Sequence, residues 1–239
     1  MNLDLLQSWQ IFLENIDMFL FGVQNTLIYA LIGTIAGFFI GLVLGAVRSL
    51  EVNESDSVVI RILKRIGQWF TVFYIWVFRG TPMMVQAMFL YYSLKPLVGW
   101  SGPVAGMFVI SINTGAYMAE IIRSGLQSVD NGQREAAKSI GLSTRQTLLY
   151  IIFPQAIRNA FPSIGNQLIV NIKDSSMLNV VWVLDLFTQS RAIAGSNYQT
   201  VNTYFVEIII YLVLTTVATF ILNQIEKRLS VETNHDYCA

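Results

Sequence analysis

Charge is scarce in this chain. Only 13% of its 239 residues are Asp, Glu, Lys or Arg, about half the ~25% of a soluble domain. Fifteen basic and fifteen acidic residues cancel, which removes any global field that would gather nucleic acid or another polyanion. There is one cysteine, Cys238, and one histidine, His235. Both lie in the polar C-terminal tail, so a disulfide framework and a Cys-based metal site are excluded. No G-x-x-x-x-G-K-[ST] occurs, so the chain has no P-loop with which to hold ATP. No His-rich cluster, nucleophile elbow or acid pair beside a histidine suggests a membrane enzyme. A basic n-region is also missing: Asp4, Glu14 and Asp17 precede Met18 and no Lys or Arg does, which argues against a cleavable signal peptide.

Hydrophobicity takes the place of charge, at 54% of residues. Met18 to Val47 contains no Asp, Glu, Lys or Arg, and neither do Pro96 to Ala119 or Ile208 to Ile225. A bilayer crossing needs ~20 such residues, so the fold class expected is an all-α membrane protein. Five transmembrane helices are expected in a single domain, 1–239, with its core at 19–228. The crossings are about Met18–Val47, part of Ile66–Leu94 interrupted by Arg79-Gly80-Thr81-Pro82, Pro103–Ser124, Asn159–Val183 interrupted by Lys173-Asp174, and Val201–Ile225. With the N-terminus outside, the inner side collects Arg48, Arg61, Lys64, Arg65, Arg123, Arg134, Lys138, Arg145, Arg158, Lys227 and Arg228, and the outer side only Lys95 and Arg191. That bias satisfies the positive-inside rule with an odd number of crossings, N-terminus outside and C-terminus inside.

Gly33, Gly37, Gly41 and Gly45 recur at every fourth residue of the first crossing and line one helix face for close approach. That face suits either a subunit contact or packing within the chain. Between the third and fourth crossings, residues 128–150 form an inner loop with helix punctuation of its own. Asp130 is placed to N-cap with Gln133 three residues on, and Ser143 with Gln146 forms a second capping box. Gly141 is placed to end the first helix in a left-handed conformation. A passive connector needs only a few residues, so this loop is built to touch something.

These residues also carry a resemblance. Glu135-Ala136-Ala137, Gly141, Ile151 and Phe153-Pro154 resemble the EAA-xxx-G-x9-I-x-L-P signature of bacterial ABC-importer permeases, with Phe153 where that family usually has Leu. Arg79 to Gln86 is similar to the RGTPxxVQ segment of the polar-amino-acid subfamily, the histidine/glutamine permease-like proteins. Ala116 to Arg123, Gly165 to Ile169 and Lys173 to Ser176 fit the same subfamily, with Gln167 where many relatives carry Glu. The likeness runs from about Gly22 to Glu226.

The resemblance implies a type I importer permease of the plasma membrane, in which Gln133, Glu135, Ala136, Ala137, Gly141 and Pro154 belong to a coupling loop that docks on a cytoplasmic ABC ATPase dimer. The chain itself would bind no cofactor, ATP and Mg being held by the ATPase. The further partners implied are a second copy or sister permease, an extracytoplasmic amino-acid-binding protein, and the lipid bilayer.

An amino acid is a zwitterion, and broken helices present dipole ends that suit both of its charges. Candidates for a path at the two breaks and on the third crossing are Arg79, Thr81, Gln86, Asn113, Glu120, Asp174 and Ser175. Each has a structural alternative: Arg79 reaching the interface, Lys173 pairing with Asp174, Asn113 bonding a neighbouring helix, Glu120 pairing with Arg123 or serving an inner gate. Met83, Met84, Met88 and Met107 suit either a gate or packing. The rival function is an ion-coupled secondary transporter or channel for a small polar solute. Such proteins need no docking helix and often show inverted repeats, which this sequence does not.

Overall fold

The computed structural model describes residues 3–50, 52 and 56–235; Cys238 lies outside them. Every regular element among the described residues is helical: α1 (Leu5–Glu14), α2 (Ile16–Arg48), α3 (Val58–Gly80), α4 (Met83–Val98), α5 (Gly102–Gln127), α6 (Asn131–Ser139), α7 (Thr144–Gln146), α8 (Phe153–Asp174), α9 (Leu186–Asn197) and α10 (Thr200–His235). A π-helical turn (147–152) leads into α8, and a 3₁₀ segment (175–181) leads out of it. By length and composition, α2, α5 and residues 200–229 of α10 are each able to cross a membrane unaided. Large apolar side chains such as Phe39, Val43, Leu212 and Phe220 point outward, an arrangement that water penalises and lipid does not.

The glycine face of α2 turns into the chain and packs on α5. A Cβ on Gly33 would stand 2.8 Å from Ile110, one on Gly37 2.6 Å from Thr114, and one on Gly41 2.4 Å from Met118 Cβ and 2.7 Å from the Ala119 nitrogen. At Gly45 the approach relaxes to 3.2 Å from Ile122. Glycines 33, 37, 41 and 45 thus meet 110, 114, 118 and 122 in rising order, so the two helices run parallel with their backbones nearly touching. Of the two readings left open by the spacing, packing within the chain is the one observed.

Other contacts give the remaining directions. Gly125, near the end of α5, meets Ala156 and Ala160 near the start of α8, whereas Thr114 bonds Asn171 near the end of α8, so α8 runs against α5. Gly165 meets Leu222 of α10. Gln68 of α3 donates 2.7 Å to the Leu50 carbonyl just beyond α2, which sets α3 against α2. Helices α2, α5 and α10 therefore run one way, and α3 and α8 the other.

Since lipid gives helices no hydrophobic reason to associate, polar bonds between them matter. Asn171 donates 2.8 Å to Thr34 of α2 and accepts 3.0 Å from Thr114 of α5 and 3.3 Å from Gln167. One carboxamide thus ties three helices together. At the other end of the bundle Asn25 donates 2.8 Å to the Leu184 carbonyl and Thr26 accepts 3.1 Å from the Leu186 amide, fixing the start of α9 against α2.

The interruption expected at Lys173-Asp174 falls there, as the end of α8 and not as a gap between two α-helical halves. α8 begins at Phe153, six residues before the expected Asn159, and runs intact to the Lys173-Asp174 pair. There the Ser175 and Ser176 hydroxyls donate 3.0 and 2.7 Å to the Ile172 and Lys173 carbonyls. Those bonds draw the chain into the tighter 3₁₀ winding, so the charged pair closes the helix instead of splitting it.

Overpacking a tight helix contact costs about 1–3 kcal/mol. Gly41→Leu is therefore expected to lower the thermal midpoint of the detergent-extracted protein and the yield of its monodisperse peak. Gly195→Ala, where nothing lies within 4 Å of the added carbon, is expected to leave both unchanged.

Candidate functional site

Two places combine helix interruption with polar chemistry: the junction of α3 and α4, and the segment from α6 to the start of α8.

At the first, α3 stops at Gly80 because Pro82, with no N–H, cannot extend it. Thr81 is extended, and α4 starts afresh at Met83. The carbonyls freed by this break need donors. Gln86 supplies one amide to three acceptors, the Phe78 carbonyl at 3.0 Å, the Thr81 carbonyl at 2.9 Å and the Thr81 hydroxyl at 2.7 Å. Asn113 of α5 donates 2.8 Å to Gln86 Oε1 and 3.2 Å to the Phe78 carbonyl. The Tyr74 hydroxyl donates to the Ile112 carbonyl, anchoring α3 to the same stretch of α5.

Gln86 and Asn113 are buried, while Arg79, Thr81 and Pro82 on the other side of the break are exposed. The Arg79 guanidinium lies 5.2 Å from the centre of the Tyr117 ring, at cation–π distance. Four path candidates, Arg79, Thr81, Gln86 and Asn113, thus converge on one junction, two of them occupied with holding it. Asp174 and Ser175 sit at the end of α8, and among the described residues no hydrogen bond or ion pair joins them to that junction. Ser175 is buried and Asp174 partly so. Glu120 lies apart again, paired with Arg48 and Arg123.

Sequence reasoning missed Asn171, whose type alone gives no sign of the three helices meeting at it. It also missed Glu207 of α10, which is buried, with one carboxylate oxygen that has no hydrogen-bond partner. The break between uncharged runs that Glu207 makes was the signal available for it. Surface cavities among the described residues include one of about 480 Å³ between α1 and the α9–α10 turn and one of about 210 Å³ between α8 and α10. Neither is lined by a path candidate.

In the second place, Asp130 Oδ1 accepts 2.7 Å from Gly132 N and starts α6. The reciprocal arm expected from Gln133 is not made: its side chain instead faces Gln155 of α8, at 3.4 Å. Gly141 takes φ 82°, and the Leu142 amide reaches back 3.0 Å to the Ala137 carbonyl, closing α6 as its glycine allows. Ser143 and Gln146 make both arms of a capping box. Beyond α7, Pro154 has no N–H to offer Tyr150, and the chain winds wider: the Phe153 amide donates to the Leu148 carbonyl. The second loop helix therefore runs on without interruption into α8.

Glu135, Ala136, Gly141 and Pro154 are exposed, Gln133 is partly so, and Ala137 is buried at 4%. Ile140 (77%) and Tyr150 (73%) stand out on the same segment. Below, Val129, Ile152 and Ala156 pack with Ile122 and Leu126 of α5. A small-faced polar helix with Ile140 at its end, and Tyr150 on the π turn beyond α7, are thus presented above an apolar base.

Because Gln86 and Asn113 share acceptors at one break, their losses are coupled. Leaving a buried polar group such as the Gln86 or Asn113 carboxamide without its partner costs about 1–3 kcal/mol. Gln86→Leu and Asn113→Leu are each expected to lower the thermal midpoint, and the double variant to lower it by less than the sum.

The chain matches the family model described as "binding-protein-dependent transport system inner membrane component" over residues 57–231. It is 33% identical over 231 residues to the glutamine transport system permease protein of Escherichia coli (strain K12), covering 94% of this chain and 98% of that one. It is 34% identical over 221 residues to the probable glutamine ABC transporter permease protein of Bacillus subtilis (strain 168), covering 92% and 96%. Among solved structures it resembles an amino acid ABC transporter crystallised with histidines, with a TM-score of 0.82 at 31% identity over 95% of this chain and all of that one. An inward-facing MetNI methionine ABC transporter shares the fold, with a TM-score of 0.73 at 18% identity over 90% and 97%. This all-helical chain, with a proline-broken helix pair and a separately capped loop, belongs to the family of binding-protein-dependent transport system inner membrane components, the permease subunits of ABC importers.

Proposed function

We propose that this permease carries a polar amino acid into the cell, in a complex of two permease chains, two copies of an ATPase subunit and an extracytoplasmic binding protein. In this reading the N-terminus is outside, and α6 and α7 face the cytoplasm. The observation that carries it is the α6–α7 segment: two capped helices on a packed base, with Glu135, Ala136 and Ile140 exposed and the second helix continuous with α8. A docked ATPase pushing on α6 would act on α8 through the packing of α6 against the π turn that leads into it. ATP and Mg would belong to that subunit.

The amino-acid assignment draws on the glutamine permeases and on the histidine-bound transporter at 31% identity, and on the chemistry of the broken crossing. Arg79 is positioned to attract the substrate carboxylate, and Asp174 with the C-terminal end of α8 the ammonium. Arg79 is exposed on the single chain, and a guanidinium facing lipid at this depth is costly. A second permease covering that face would turn it into the wall of a shared path.

Three outcomes are expected from the reconstituted complex. Uptake of a panel of radiolabelled amino acids should depend on ATP and on the binding protein; uptake by the permease alone down an ion gradient would overturn the importer reading in favour of an ion-coupled carrier. Ala136→Arg should reduce co-purification of the ATPase subunit about tenfold or more, as expected for a buried charge introduced at an interface. Arg79→Gln and Asp174→Asn should each cut uptake well below wild type; wild-type uptake in both would make these residues structural.

A further inference from the structure

The permease reading leaves one charged cluster without a role. Glu120 is on α5, two turns before its end, and its carboxylate binds two guanidinium groups. Arg48, the last residue of α2, donates to one oxygen. Arg123 donates to the other through Nε at 3.0 Å and Nη2 at 2.8 Å. Side-chain exposure is 20% for Glu120, 28% for Arg48 and 34% for Arg123, so the cluster is partly dried by its surroundings.

The contacts continue toward the loop. Arg123 Nη1 donates 2.9 Å to Gln127, the last residue of α5. The next residue, Ser128, donates 2.8 Å to the Gly125 carbonyl and accepts 2.9 Å from Asn159 of α8. Phe38 and Leu42 of α2 pack against the apolar cluster of Ile122, Leu126, Val129 and Ile152 that seats the loop. Glu120 thus heads a chain of polar contacts from the tip of α2, along α5, to the start of the α6–α7 segment.

Holding α2 to α5 does not require it. Along Gly33 to Gly41 the two backbones already interlock, and the contact loosens only at Gly45, one turn before Arg48. An ion pair of this exposure adds little stability, ~0–1 kcal/mol. Its effect lies in direction: a carboxylate held by guanidinium groups from two helices fixes how the loosened tip of α2 sits on α5.

We propose that Glu120 is a positioning residue for energy coupling, which makes the tip of α2 move with the docking segment so that displacement of α6 reaches the α2–α5 pair. This rests on the docking role of α6–α7 proposed above. Without the carboxylate the ATPase still docks and hydrolyses ATP, but part of each stroke is lost as slack between α2 and α5.

The test uses the assembled permease–ATPase complex in proteoliposomes with its binding protein, measuring ATP hydrolysed per amino acid imported, ATPase co-purified and thermal midpoint. Glu120→Gln is expected to raise ATP used per substrate about fivefold or more, with ATPase capture at the wild-type level. Glu120→Asp should restore much of the ratio. Arg48→Gln should raise it too, and combining it with Glu120→Gln should add little, the non-additivity of groups acting as one unit. If Glu120→Gln fails to insert, Arg48→Gln breaks the same link and is read the same way. A wild-type ratio with only a lowered thermal midpoint would reduce Glu120 to packing and overturn the proposal. Failure of the docking reading shows separately, as unchanged ATPase capture by Ala136→Arg.

Discussion

Between Gly41 and the Met118–Ala119 peptide there is no room for a methyl group, and that closeness sets where every other helix can go. Two parallel helices at such a distance form a bar thinner than an ordinary helix pair. The flanks of this bar carry Thr34 and Thr114, which Asn171 of α8 reaches at 2.8 and 3.0 Å. In water an apolar interface could hold these elements alone. In lipid, exposed apolar surface is already at ease, and tight backbone contact with a few shared hydrogen bonds has to supply the cohesion. Larger side chains on α2 would push α5 outward and put Asn171 beyond reach of one partner or the other.

The α3–α4 break depends on the same framework. A bilayer offers no water to carbonyls released by a proline, so the chain brings donors to them. Gln86 comes from within α4 and Asn113 from α5, whose position α2 dictates. The two carboxamides keep the break open at a fixed angle, leaving Arg79 and Thr81 turned outward. A helix break of this kind carries a structural cost, which the two carboxamides offset.

The α6–α7 segment holds its own shape. Its first helix is closed by a left-handed Gly141 and its second flows through a wider π turn into α8. The Gly141 turn thus separates α6 from α7, while no turn separates α7 from α8. The apolar seat formed by Val129, Ile152 and Ala156 with Ile122 and Leu126 ties the segment to the end of α5.

Much of this was legible from residues alone. Crossing segments follow from runs without charge because a charged side chain facing lipid is costly whatever its neighbours do. Asp130, Gly141 and the Ser143–Gln146 box act within a few residues of themselves, so their structural effect could be read locally. The location of the α3 break could be read too, since Pro82 cannot donate in any environment. What tertiary structure decided was the partner of each polar group. Gln86 and Asn113 are 27 positions apart in sequence, on different helices, and nothing in either segment shows that they meet. The glycine row fitted both a subunit contact and an internal one, and only the facing Ile110, Thr114, Met118 and Ile122 settled it. Glu120 offered Arg123 as a neighbour one turn away, but Arg48, 72 residues distant, became its second partner only once α2 and α5 lay side by side. Local chemistry is encoded by residue type and spacing, whereas the pairing of side chains across helices depends on how far apart the backbones stand, and here glycine set that distance.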